Sequence, residues 1–257
     1  MSRKMTRKRK LFAKIISPAA FLLIWYALAF FIDASLILPY PHRVIIRLFE
    51  LIQTSTFWLA LLFTMLRVFA AFIISFILGF FLGLISADCE CFKNFMIFPL
   101  GLIRATPIIA FILLALFWFQ SGTVPIFVAV LMSLPVMITA SQNGFEKTPE
   151  NQEKLFKAAC SGFTGCKAFR YIRLPGAKAS LMSGAESSFG LCWKVVAAGE
   201  VLSIPHHATG TLMQKAQVHL ETPDVLALTI ALVLMSMVSI RLFRSLLNQR
   251  KSGKCVC

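Results

Sequence analysis

Residues 61–86 read LLFTMLRVFAAFIISFILGFFLGLIS and form one nearly continuous apolar segment. Arg67 is its single charged residue, and about 20 mostly apolar residues are enough for a helix to cross the hydrocarbon core of a bilayer. Five further segments have a comparable character, at 15–32, 96–119, 124–140, 181–202 and 225–240. The sequence therefore predicts an all-α integral membrane protein with six transmembrane helices.

Amino-acid composition supports the same class. Hydrophobic residues make up 58% of the 257 positions and charged residues 14%, whereas soluble domains have roughly 45–50% and 25%. A soluble core of this size could not hide that much apolar surface, so the excess must face lipid. The seven cysteines have no regular spacing, which does not fit the disulfide framework of a small secreted protein.

The distribution of positive charge predicts the orientation in the membrane, because cytosolic loops are enriched in Lys and Arg. With both termini in the cytosol, 20 of the 26 Lys and Arg residues fall in cytosolic segments and three in outer loops. This topology predicts a basic cytosolic N-terminus at 1–14, a six-helix membrane domain at 15–245 that includes a cytosolic loop at 141–179, and a cytosolic tail at 246–257. It also explains the net charge of +15, so the charge does not require a nucleic-acid-binding function.

The cytosolic loop carries the most informative polar pattern. Residues 150–178 predict two short helices joined at Gly162, since glycine readily adopts the left-handed conformation that ends a helix. In the second helix Phe169 and Ile172 belong to an apolar ridge beside a basic stripe, and Pro175 follows its end. Such a helix is suited to binding another protein, or alternatively to lying on anionic lipid. The sequence has no Gly-x4-Gly-Lys-Ser/Thr phosphate loop, so energy must come from a partner or an ion gradient.

This loop resembles a known signature. Ala158-Ala159, Gly162 and, nine residues after it, Ile172-Arg173-Leu174-Pro175 are similar to Glu-Ala-Ala-x3-Gly-x9-Ile-x-Leu-Pro of binding-protein-dependent ABC importer permeases. The acidic residue of the signature is missing here. Other short motifs resemble the nitrate, sulfonate and taurine type of permease: Leu38-Pro39-Tyr40-Pro41, Leu66-Arg67-Val68, Arg104-Ala105-Thr106-Pro107, Phe117-Trp118-Phe119, and the segment from Trp193 to Ala198-Gly199-Glu200.

The resemblance implies a type I importer permease fold in the inner membrane. It implies partners: cytosolic ABC ATPase subunits that hold ATP and Mg²⁺, a second permease copy or homologue, and an external solute-binding protein. The chain itself would then carry no catalytic residue, cofactor or metal, and it would move a small solute such as a sulfonate, taurine, nitrate or a vitamin precursor. The residues expected to couple to the ATPase are Ala158, Ala159, Gly162, Phe169, Ile172, Leu174 and Pro175.

Ionisable residues inside the fifth predicted span are candidates for the translocation path, since charged groups are costly in a membrane and face a partner, a cavity or the bundle interior. Together with the Thr106-Pro107 pair, where a span can kink and free backbone carbonyls, the candidate path residues are Thr106, Pro107, Glu186, Lys194 and Glu200. Pairing between helices without solute contact is the alternative. The same charged residues also leave open an ion-coupled secondary transporter.

Overall fold

The structure is a computed structural model that describes residues 7–32, 34–146, 169 and 173–252. Over these residues the chain is helical, without a β-strand, which confirms the predicted all-α class. In chain order the helices are α1 Arg7–Ile32, α2 Pro41–Ile52, α3 Ser55–Asp88, α4 Glu90–Ala105, α5 Ile108–Trp118, α6 Val124–Glu146, α7 Leu174–Ser203, α8 Thr209–Val218 and α9 Thr222–Ser252.

Several helices are long and apolar enough to cross a bilayer. Within the described ranges these are α3, α6 and the Thr222–Ser245 part of α9, and the bent pair α4–α5 adds a fourth if it forms one span. α1 contributes a shorter apolar segment, Ala19–Ile32, and α7 is 30 residues long but carries ionisable side chains along its length. Length and composition thus support three or four spans, and the count of six stays a prediction.

The core lies between α3, α6 and α7. Glycines let α3 and α6 approach closely: a Cβ atom built on Gly79 would lie 2.6 Å from Cβ of Met137, and one on Gly83 would lie 2.5 Å from Cβ of Ser141. Both distances are far shorter than an ordinary van der Waals contact. The Gly79-x3-Gly83 pair therefore packs against α6 of the same chain, as small residues do at helix interfaces in membranes.

α6 and α7 are in similarly close contact at two widely separated points. A Cβ atom on Gly184 would lie 2.1 Å from Cβ of Ala140, and one on Gly199 would lie 2.9 Å from Cα of Pro125. Pro125 is near the start of α6 and Gly199 near the end of α7, so the two helices are antiparallel. Their backbones meet both in the middle of α7 and close to its C-terminal end.

The predicted span at 96–119 is wrong as a single helix. α4 ends at Ala105, α5 begins at Ile108, and the two axes differ by 98°. Thr106 (φ −79°, ψ 131°) and Pro107 (φ −60°, ψ 137°) are extended. A proline disfavours the helical conformation of the residue before it and has no N–H to donate, and this explains why the helix breaks at this dipeptide.

The short helices α2 and α8 lie next to the starts of α3 and α9. α2 presents Ile46 and Phe49 to the surroundings, while Arg47 on its other side pairs with Asp224 of α9 and with Glu50. The hydrogen bonds that Arg47 donates to Asp224 and Glu50 raise the pKa of Arg47 above its ordinary value, so the guanidinium remains charged. α8 lies between the spans predicted at 181–202 and 225–240, where the sequence predicted no helix.

Candidate coupling and translocation site

Three of the seven predicted coupling residues lie within the described residues. Phe169 is half-buried and packs against the core cluster, as does Leu174 at the start of α7, and Pro175 occupies the first turn of that helix. Proline is favoured there because the first helical N–H groups have no partner within the helix. The other four predicted coupling residues, Ala158, Ala159, Gly162 and Ile172, lie outside the described residues.

Aromatic and ionic contacts fix the residues at and just before the start of α7. The rings of Phe169 and Phe145 stack with centroids 5.9 Å apart, and the guanidinium of Arg173 lies 5.8 Å from the centroid of the Phe145 ring. Arg173 also pairs with Asp88, the last residue of α3, with 3.2 Å between Nη1 and Oδ2. The beginning of α7 is therefore tied to the C-terminal ends of α3 and α6.

A second ion pair joins the neighbouring helix ends. Lys93, in the first turn of α4, lies 3.0 Å from Glu146 at the end of α6, measured from Nζ to Oε1. Gln142 donates a hydrogen bond to the same carboxylate at 2.9 Å. The C-terminal ends of α3 and α6 and the first turns of α4 and α7 are thus cross-linked by polar contacts, which makes them one connected surface.

Glu200, a predicted path residue, lies in a buried ion pair between helices. Its side chain is 0% exposed, and Oε1 is 2.8 Å from Nη1 of Arg67, which is 11% exposed. The other carboxylate oxygen accepts hydrogen bonds from the hydroxyl of Thr64 at 2.9 Å and from the backbone N–H of Gly210 at 3.1 Å. Glu200 thereby joins α7 to α3 and α8.

The same arginine fixes the connection between α7 and α8. Arg67 donates to the carbonyl oxygens of His206 at 3.1 Å and of His207 at 3.3 Å. Ile204 and His207 both have positive φ values, 50° and 49°, a conformation that is uncommon for residues other than glycine. The polar contacts of Arg67 stabilise this tight connection.

The remaining path candidates are spread over the surface of the bundle. Glu186 forms two hydrogen bonds with Arg244 of α9, at 2.9 and 2.7 Å. Lys194 is exposed on α7, Pro107 is exposed at the α4–α5 break, and the hydroxyl of Thr106 donates to the carbonyl oxygen of Leu102 at 2.8 Å. The structure therefore does not bring the five candidates together, and their contact with solute stays a prediction.

Sequence reasoning missed a polar groove on the surface shared by α6 and α7. Its volume is about 580 Å³. We use the name polar groove for this surface after six of its lining residues, and small or apolar residues complete the lining: Arg104, Thr139, Asn143, Ser180, Ser183 and Ser187, with Val136, Ala140, Ala179 and Gly184. Three of these are serines spaced by three and four residues on α7, which places them on one helix face, and this spacing could have been recognised in the sequence.

Comparison with known proteins now identifies the family. The sequence model of the binding-protein-dependent transport system inner membrane component matches residues 79–251, about two thirds of the chain. The chain belongs to this family. It is therefore the membrane permease component of an ABC transport system for solutes, located in the inner membrane. It is not an enzyme, because ATP hydrolysis belongs to a separate subunit in this family.

Individual relatives extend the match over most of the permease. The glycine betaine transport system permease protein OpuAB of Bacillus subtilis (strain 168) is 25% identical over 205 residues, covering 79% of this chain and 71% of the relative. The taurine transport system permease protein TauC of Escherichia coli (strain K12) is 22% identical over 225 residues, covering 85% and 81%.

A solved structure confirms the fold. The crystal structure of an amino acid ABC transporter with histidines superposes with a TM-score of 0.56, covering 74% of the permease and 89% of that chain at 18% identity. At this identity the similarity concerns the fold. Together with the family match, it confirms the predicted ABC importer permease fold.

Proposed function

We propose that this permease is the membrane subunit of an ATP-driven importer for a small solute delivered by an external binding protein. In this proposal two permeases, this chain and a second copy or homologue, enclose the path. Two cytosolic ATPase subunits hold ATP and Mg²⁺ and dock on the segment between α6 and α7, inside the loop that the sequence predicted at 141–179. The observation that supports it most is the connected set of helix ends around 147–172, fixed by the Asp88–Arg173 and Lys93–Glu146 ion pairs.

These contacts provide a physical basis for coupling. A partner can shift a conformational equilibrium only through contacts that differ between the two states. A partner bound at 147–172 would act on α6 and α7 at once, because the segment connects the end of one with the start of the other. The Phe145–Phe169 stack and the Arg173–Asp88 pair extend that action to α3.

The charge distribution sets the proposed orientation. Twenty of the 26 Lys and Arg residues would lie in the cytosol with both termini, which follows the positive-inside rule. The segment 147–172 would then face the ATPase, and α8 with the connection at 204–208 would face the binding protein outside.

The relatives suggest the class of solute. Taurine and glycine betaine, which name two of the matched permeases, are both small zwitterions with one acidic group. We therefore expect a small solute of high polarity, with sulfonates, taurine, nitrate and vitamin precursors as the range implied by the sequence motifs.

Two substitutions in the loop test the coupling role. If Gly162 has the left-handed conformation that the sequence predicts, Gly162→Val should introduce strain of about 1–3 kcal/mol. Ile172→Ala should remove an apolar anchor worth about 2 kcal/mol of docking, roughly thirtyfold in affinity. Because neither change removes a membrane helix, we expect normal insertion but reduced co-purification of the ATPase and reduced ATP-dependent uptake.

Matched controls separate coupling from general damage. Gly101 lies in α4 with no atom within 4 Å of an added Cβ, so Gly101→Val should leave ATPase association and uptake unchanged. Ile109 is 61% exposed on α5 and provides the same control for an isoleucine truncation. Full ATPase association and uptake in both loop variants would refute the coupling role, and uptake driven by an ion gradient without the ATPase would favour the secondary transporter.

A further inference from the structure

The polar groove lies in the half of α6 and α7 that is nearer to 147–172. Thr139 and Asn143 belong to the last two turns of α6, and Ser180, Ser183 and Ser187 to the first four turns of α7. Arg104 reaches the same groove from the end of α4, just before the break at Thr106-Pro107. The groove is therefore a meeting point of three helices.

The groove mixes polar side chains with small and apolar ones, and its polar residues distinguish it from the neighbouring helix surface. The surrounding surface of the bundle exposes large apolar side chains, such as Ile109, Leu113 and Phe117 of α5, as expected for a lipid-facing helix. A charged residue and several hydroxyls are costly in contact with hydrocarbon, so we expect these side chains to face water or protein. The groove is thus a candidate for a surface that water reaches.

The charged residue in its lining makes the groove electropositive. Arg104 is the only ionisable residue among those that line it, and no carboxylate is present in that lining within the described part of the chain. Nη2 of Arg104 donates to the carbonyl oxygen of Pro135 at 3.1 Å and to the hydroxyl of Thr139 at 2.5 Å. These two contacts hold the guanidinium in place while the side chain stays exposed.

Donors beside Arg104 are available for a ligand. Ser187 donates its hydroxyl proton to the carbonyl oxygen of Ser183. By contrast, the side chains of Asn143, Ser180 and Ser183 form no hydrogen bond with the described residues. A charged guanidinium, two hydroxyls and an amide N–H group together favour an anion, since hydrogen bonds to a charged acceptor are the stronger kind.

We propose that the polar groove is a charge-selective wall of the solute path, which receives the anionic group of the solute with Arg104 as the specificity-determining residue. This inference rests on the proposed importer function and adds a selectivity element in the membrane subunit to that of the binding protein. A solute with an acidic group replaces water beside Arg104, Ser180 and Ser183, whereas a solute that carries only positive charge is repelled.

Charged thiol reagents test the groove without an identified solute. In a cysteine-free permease assembled with its partners in membrane vesicles, Ser183→Cys introduces a thiol in the groove. Its rates with sulfonatoethyl methanethiosulfonate and with the trimethylammonium analogue are compared, each relative to a free thiol in solution. We expect the anionic reagent to be favoured, and Arg104→Gln to lower this preference roughly tenfold.

Two further variants control for charge and position. Arg104→Lys keeps the positive charge and should preserve most of the preference for the anionic reagent. Arg241 is exposed on α9, outside the groove, so Arg241→Gln removes the same net charge and should leave the ratio unchanged.

The inference is overturned if the Ser183→Cys thiol reacts with neither reagent, since the groove would then be closed to water. It is also overturned if the ratio of the two rates is the same with and without Arg104→Gln. The labelling needs neither ATP nor transport, so its failure is distinguishable from failure of the importer proposal, which is decided by ATPase-dependent uptake.

Discussion

The buried Arg67–Glu200 pair allows a quantitative prediction. Glu200→Leu keeps a side chain of similar volume but removes the carboxylate that accepts from Arg67, from the hydroxyl of Thr64 and from the N–H of Gly210. Arg67 would then be left as a nearly buried cation, 11% exposed, whose remaining described partners are backbone carbonyls.

Removing one partner of a buried ion pair costs about 3–5 kcal/mol. The two carbonyl contacts of Arg67 place the expected loss at the lower end of that range. With roughly 2–4 °C per kcal/mol for a chain of this size, the midpoint of thermal unfolding should fall by about 6 °C or more.

Tryptophan fluorescence of the permease in nanodiscs would measure this midpoint, since the chain has four tryptophans. Glu186→Leu is the matched control on the same helix. Its partner Arg244 is 62% exposed and Glu186 itself is 23% exposed, so solvent screens the pair and its removal should change the midpoint little.

A double variant separates the ion pair from other effects of the substitution. Arg67→Met combined with Glu200→Leu removes both charges, and paired apolar replacements of a buried ion pair are often neutral or stabilising. The double variant should therefore be more stable than Glu200→Leu alone. The reasoning is refuted if Glu200→Leu shifts the midpoint as little as Glu186→Leu, or if the double variant is no more stable than the single one.

Other parts of the structure yield further predictions. Gly184→Val would force α6 and α7 apart, because its added Cβ would lie 2.1 Å from Cβ of Ala140. We expect a loss of about 1–3 kcal/mol or more in thermal unfolding; stability equal to wild type would contradict the described contact. Asp88→Arg should weaken ATP-dependent uptake by breaking its pair with Arg173, and the charge-swapped variant Asp88→Arg with Arg173→Asp should restore it; absence of rescue would argue against the pair.

Local sequence patterns located α3, α6 and α9 as helices apolar enough to cross a bilayer, but they did not predict how the helices are arranged. The break at Pro107 could be anticipated from the chemistry of proline, whereas the 98° angle between α4 and α5 depends on packing that no local pattern encodes. α8 was missed for a related reason. Its ten residues alternate small, polar and apolar types, and it is stabilised mainly by contacts with α7 and α9.

The sequence also could not show which residues pair with the buried charges. Glu200 was recognised as a costly residue within a span, but Arg67 is 133 positions away, and several other cations were available in the sequence. The polar groove was missed because Ser180, Ser183 and Thr139 look unremarkable one at a time. Their significance comes from the juxtaposition of α6 and α7 with Arg104.

The glycine contacts between α6 and α7 also limit how the two helices can move relative to each other. α7 has 30 residues and is therefore about 45 Å long. Backbones in close contact at Gly184 and again at Gly199 cannot slide past each other without steric overlap, so we expect the two helices to tilt together as one rigid unit. A tilt of about 5° pivoted at the Arg173 end would swing the opposite end by about 4 Å, which is wider than a water molecule.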